Sequence, residues 1–152
     1  MKFSRVILAA ATVAALSTAA TVSANAGAHS GDPVVSVWWN VKKTAKITIS
    51  PCDDSVCGNI TWMNEPNRED GTPKLDVNND EEELRGRTIL GMQIIGGFER
   101  EEAGEWDDGE IYNPEDGNTY SSNMKINDDG NLEVEGCVLF ICKEQIWEPV
   151  KE

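Results

Sequence analysis

Apolar residues along this chain return mostly at every second position, the period of a strand with one buried face and one wet face. Residues 34–40, VVSVWWN, open the pattern and predict a first strand with Trp38 and Trp39 on opposite faces. Residues 45–50 alternate, Ile47 and Ile49 against Lys46 and Thr48, with Pro51 as the stop and CDDSVCG as the turn. Over residues 59–63 the pattern resumes, with Ile60 and Trp62 sharing a face. Residues 64–83 break it with Pro66, Gly71, Pro73 and a run of Asn, Asp and Glu, a long irregular segment of the kind that is either functional or mobile. LRGRTILGMQIIGGF then gives a short turn and a strand loosened by Gly91, Gly96 and Gly97.

The stretch WDDGEIYNPEDGNTY, residues 106–120, carries the clearest local signal. One strand runs through Glu110, Ile111 and Tyr112, and another leaves through Asn118, Thr119 and Tyr120. Pro114 pre-sets φ for the second position of a type I turn, Asn113 can bind its own backbone, and Gly117 supplies the positive φ that rejoins the strands through a bulge. The second strand continues with Tyr120, Ser122, Met124 and Ile126 on one face, and Asn127-Asp128-Asp129-Gly130 predicts the next tight hairpin. Leu132, Val134, Gly136, Val138 and Phe140 alternate with Glu133 and Glu135, so that Val138-Leu139-Phe140-Ile141 reads as core. If those four residues instead fall at a hairpin tip, they form an exposed patch for a partner or lipid. A last strand over residues 143–150 carries Trp147.

About eight short strands joined mostly by tight turns predict an all-β protein, a small antiparallel up-and-down sheet closed into a barrel; an open two-sheet sandwich is the alternative. No internal repeat or second domain is evident. Residues 1–26 read as a signal peptide: Lys2 and Arg5, then an apolar run over residues 6–16, then small residues with a cut after Ala24 or Ala26. The run is too short to span a bilayer, and no second apolar segment follows. Residues 27–33 form a polar lead-in and residues 34–152 a single domain. An exported location, the periplasm or beyond the cell, follows from the signal.

The signal takes two of the 13 basic residues and none of the 27 acidic ones, so a mature chain of 126 residues carries a net charge of −16. Such a chain is repelled by nucleic acid and by anionic lipid heads, which excludes both as partners. Four cysteines in an exported chain argue for disulfides. Cys52 and Cys57 lie five positions apart, as do Cys137 and Cys142, and each pair flanks a short turn. A local bridge stabilises by roughly 2 kcal/mol on the chain-entropy model and a long-range one by about 4–5 kcal/mol. Proximity rather than energy therefore favours Cys52–Cys57 with Cys137–Cys142. A zinc site made by all four is disfavoured, because neither pair has the two-residue spacing of a zinc knuckle.

His29 stands alone in the lead-in, which removes Ser-His-Asp and Cys-His arrangements. Glu110, Asp107 and Asp108 beside Trp106 could form a glycosidase-like pair, but solvated turn acids next to a packed Trp explain them more simply. In DVNNDEEELRGR, Asp76, Asn78 and Asp80 match the first ligands of an EF-hand loop, yet Glu81 stands where Gly belongs and Arg87 where Glu belongs. No metal or cofactor is expected. Arg85 and Arg87 are read as docking the irregular segment onto the barrel, with binding of a ligand's carboxylate or phosphate as the second role.

Together CDDSVCGNITW, LDVNN followed by LRGRTILG, WDDGEIYNPEDGNTY and LEVEGCVLFICKEQIW resemble the domain-of-unknown-function family 2147, small secreted bacterial proteins, over essentially all of the mature chain. The resemblance implies a lipocalin-like barrel of the calycin type and export, and no established activity. Here Ser36 takes the place of the Gly in a Gly-x-Trp opening, and residues 138–142 and 147–149 depart from the usual Gly-x-x-x-Cys and Trp-Thr-Arg. Those departures bear on how tightly one barrel end closes. The expectation is a non-catalytic barrel holding a small apolar or amphipathic molecule, with Trp38, Trp62, Tyr120, Met124 and Phe140 lining or filling its interior. The alternatives are an envelope or secreted interaction module with a packed core and, third, a hydrolase using a carboxylate pair.

Overall fold

The computed structural model describes residues 31–151; the expected signal peptide, residues 1–26, and His29 lie outside them. Eight strands follow in chain order: β1 (Val37–Trp39), β2 (Ala45–Cys52), β3 (Ser55–Met63), β4 (Gln93–Glu102), β5 (Glu105–Asn113), β6 (Asn118–Ile126), β7 (Leu132–Val138) and β8 (Ile141–Pro149). Each pairs antiparallel with its sequence neighbour, and β1 pairs with β8 through Trp38 opposite Pro149, so the sheet closes into a barrel. The up-and-down barrel is thus realised, and the sandwich is not.

Local turn chemistry accounts for the hairpins. At the β5–β6 turn the Gly117 N–H donates to the Asn113 carbonyl at 2.8 Å and the Glu115 N–H donates to Asn113 Oδ1 at 3.1 Å, with Gly117 at φ 78°. The β6–β7 turn closes through Gly130, φ 76°, and the Asn127 N–H to the Asn131 carbonyl at 2.9 Å. At β2–β3 the turn is tighter than expected. Pro51 stays in the ladder opposite Val56, and only Asp53 and Asp54 turn the chain. Both local disulfides form, Cys52–Cys57 and Cys137–Cys142.

The first strand is shorter than VVSVWWN. Residues 31–36 bend instead across one barrel end, where Val34 is fully buried and its carbonyl accepts a 2.9 Å hydrogen bond from Trp38 Nε1. Arg100 meets Asp32 at 3.0 Å in the same region, so this end is closed despite Ser36. Inside lie Trp38, Ile47, Ile49, Val56, Ile60, Ile95, Phe98, Trp106, Met124, Leu132, Val134 and Trp147. The Phe98 ring occupies the space a Cβ at Gly109 would need, which is why that strand position tolerates no side chain.

Several register shifts reset the inward phase, two of them next to residues singled out in the sequence. Ile47 faces Ile60 and Lys46 faces Trp62, which leaves Thr61 as the extra residue of β3. Trp106 faces Met124 and Gly109 faces Ser122, so Asp107 and Asp108 together oppose Asn123. A single extra residue moves every later side chain to the other face.

Candidate functional site

Residues 64–92 carry one short 3-10 turn, Glu82–Leu84, and two isolated bridges, Asn67 with Pro73 and Leu75 with Thr88. Asp76, fully buried, fixes the segment. Its Oδ1 accepts from the Tyr112 hydroxyl at 2.6 Å, and its Oδ2 accepts from Asn79 Nδ2 and from Arg87 Nε, both at 2.9 Å. Burial pushes the Asp76 carboxyl up, but these three hydrogen bonds and the Arg87 charge outweigh it and hold the pKa below the ordinary value. Burial and the Asp76 hydrogen bond raise the Tyr112 phenol. Arg87 also lies over the Tyr112 ring, 5.1 Å from its centroid.

Arg85 Nε donates to the Asn79 carbonyl at 2.6 Å. Arg85 thus braces the segment on itself, while Arg87 joins it through Asp76 and the Tyr112 ring to β5. The calcium-like spacing does not converge: Asp76 is committed to its three donors, and Asn78 turns its amide to the carbonyls of Pro114 and Glu115 at 3.3 and 3.0 Å. Between this segment and the outward side of β4–β6 runs a polar groove of about 510 Å³ with Asp80, Glu81, Arg87, Gln93, Glu110 and Thr119 on its walls.

The five residues expected in the interior separate. Trp38 and Met124 are core, and half-buried Tyr120 donates its hydroxyl to Asp116 at 2.8 Å. Trp62 is on the outer face, 41% exposed, edge-on to Trp39 at 5.5 Å, with the Lys46 ammonium near both rings. The Thr61 bulge explains this correction, because it takes Trp62 out of phase with Ile60. Phe140 is the second correction. Val138 already pairs with Ile141, so the chain turns at Leu139 and Phe140 rather than continuing inward. Val138, Leu139, Phe140 and Ile141 are 56, 90, 89 and 71% exposed, above a disulfide that ties the two strands one rung below.

Among the described residues, two buried side-chain polar atoms have no hydrogen-bond partner, Trp106 Nε1 and Ser122 Oγ. Register puts them diagonally across β5 and β6. Trp106 faces inward and does not line a sugar cleft with Asp107, Asp108 and Glu110. The carboxyl that is raised is Glu101, through its hydrogen bond with Asp107 and that group's charge. It does not line the smaller hollow of about 220 Å³ formed by Glu105, Asp107, Asn123, Lys125, Glu133, Glu135 and Glu144. Glu135 and the sulfurs of Cys137 and Cys142 come within 4.8 Å of one another, but those sulfurs are bonded together, and the metal ligand is a thiolate.

The model of the family described as "Uncharacterized protein conserved in bacteria (DUF2147)" matches residues 36–149. The chain belongs to this family. Among curated proteins no sequence matches. A solved structure described as "Protein HP1028 from the human pathogen Helicobacter pylori belongs to the lipocalin family" is similar, with a TM-score of 0.67 and 17% identity over 78% of this chain and 84% of that one. At that identity the likeness is one of fold, and the DUF2147 barrel is lipocalin-like. No helix among the described residues is long and apolar enough to cross a membrane, and two disulfides fit an oxidising compartment.

Sequence reasoning missed Asp76, Tyr112 and Asn79 as a cluster, because the partners of Asp76 stand 3, 11 and 36 residues away. A hydroxyl-bearing ring on the outward face of the central hairpin was the available signal. Trp106 and Ser122 stand at inward positions of their strands, but nothing in the pattern says that they lack partners.

Proposed function

We propose that this exported protein acts without catalysis, as a binding module whose packed barrel is a scaffold and whose β7–β8 tip is the working surface. The exposure of four successive apolar side chains at that tip carries the reading. A large apolar patch held on a rigid hairpin gains free energy when something covers it. The 26-residue leader pattern and the two disulfides support export. Fractionation of a bacterial envelope expressing the full chain tests the docking. The wild type should travel with envelope particles, and Leu139→Ser with Phe140→Ser should release it to the soluble fraction. Equal solubility of both proteins would end the reading.

A second reading, a small amphipathic molecule inside the barrel, is favoured by the orphaned Trp106 Nε1 and Ser122 Oγ. A carbonyl or hydroxyl oxygen accepting from both would satisfy them. Native mass spectrometry of protein purified from its own envelope tests it. A bound mass lost on denaturation supports a carrier, and a bare mass removes that reading.

A further inference from the structure

We infer that the β7–β8 tip seats in the surface of a lipid bilayer with zwitterionic headgroups. This rests on the docking reading above and names its partner. The composition and the size of the tip favour lipid over a protein groove. Val138 and Ile141 pair directly and so share one face of the hairpin, and Leu139 and Phe140 form the turn beyond them. The apex is therefore apolar from its last paired rung through its turn, with no polar side chain among its four residues. A stable protein interface recruits about 20–30 residues a side. Four residues above a rim that includes Glu135, Lys143 and Glu144 fall short of that, yet they suffice for a shallow lipid anchor.

The turn itself adds an independent observation. Four other hairpin turns put Asp53, Gly104, Gly117 and Gly130 at positive φ, residue types suited to that conformation, and the β1–β2 turn puts Lys43 there, whose ammonium remains in water. At the β7–β8 turn the residue with positive φ, 56°, is Leu139. A bulky apolar side chain in the left-handed region is strained, and it stands where turn chemistry asks for Gly or Asn. The hairpin thus gives up stability in exchange for apolar surface at its apex. Charge selects the lipid: with 27 acidic against 13 basic residues, an anionic bilayer repels this chain and a zwitterionic one does not.

Co-sedimentation of the disulfide-intact mature protein with phosphatidylcholine vesicles tests the inference. The wild type should bind, and Phe140→Asp should weaken binding at least tenfold, since a buried Phe side chain is worth that much or more. Ser50→Asp adds the same charge at an exposed site beside the β2–β3 turn, at the other end of the barrel, and should leave binding unchanged. Phosphatidylglycerol vesicles should bind more weakly than phosphatidylcholine at low salt. All four side chains are exposed, so circular dichroism of the variants should match the wild type. Absence of vesicle binding, with tip-dependent envelope fractionation intact, would overturn the lipid inference and leave a protein partner. Binding that survives Phe140→Asp, or that Ser50→Asp abolishes equally, would overturn it as well.

Discussion

Residues 64–92 and the β7–β8 hairpin invert the usual relation between regularity and exposure. The first region has scarcely any regular structure, yet it buries a carboxylate completely and satisfies it with three donors. The second is paired to its last rung and ends in apolar side chains nine-tenths exposed. Backbone regularity therefore does not separate scaffold from the proposed working surface here. Polar partners do: Asp76 ties the irregular segment to β5, while nothing in the fold covers Leu139 and Phe140. The long segment is scaffold by virtue of its hydrogen bonds, and the tip is left available by its composition.

The largest effect should come from breaking the anchor. Asp76→Ala strands the Tyr112 hydroxyl and the Arg87 guanidinium and should destabilise by about 3 kcal/mol in chemical denaturation. The sign of its pH dependence follows from the lowered carboxyl. A pKa depressed in the folded state contributes stability that is present above the unfolded value, near 3.8, and lost as pH falls through the folded value. The wild type should lose stability on acidification below about pH 4 more steeply than Asp76→Asn. Tyr112, raised in the folded state, acts oppositely. Its contribution is intact below the ordinary value of 10.0 and is lost as pH rises through the folded value.

Next in size is Gly117→Ala. Gly117 has φ 78°, and a Cβ there would collide with the Asn78 carbonyl. The variant should lose about 2 kcal/mol, with faster amide exchange over residues 76–79 than over β7 and β8. Uniform exchange across both regions would mean that the segment is not held by this contact.

What was legible in the sequence follows the range of the forces involved. The hairpin at Asn113–Gly117 and the turn at Asn127–Gly130 were legible because their hydrogen bonds close within the turn itself. The cysteine pairs were legible because each spans five positions across one hairpin. The barrel followed from counting alternating segments. Trp62 was misplaced because one extra residue, Thr61, reverses the phase, and nothing local marks it. Phe140 was misplaced because apolar residues on both sides of a turn imitate a strand entering the core. The Asp76 cluster depends on Tyr112, 36 residues away, a tertiary fact that no window of sequence contains.

The smallest stability change is the most informative, and it lies at the tip. Leu139→Asn places at φ 56° a residue that tolerates the left-handed conformation. It should raise stability by about 0.5–1 kcal/mol while weakening phosphatidylcholine binding severalfold. Measured on one preparation, the two quantities should move in opposite directions, as a strained apolar apex requires. A variant that is less stable than the wild type and binds vesicles equally well would mean that Leu139 serves the fold, and would contradict the tip as the working surface.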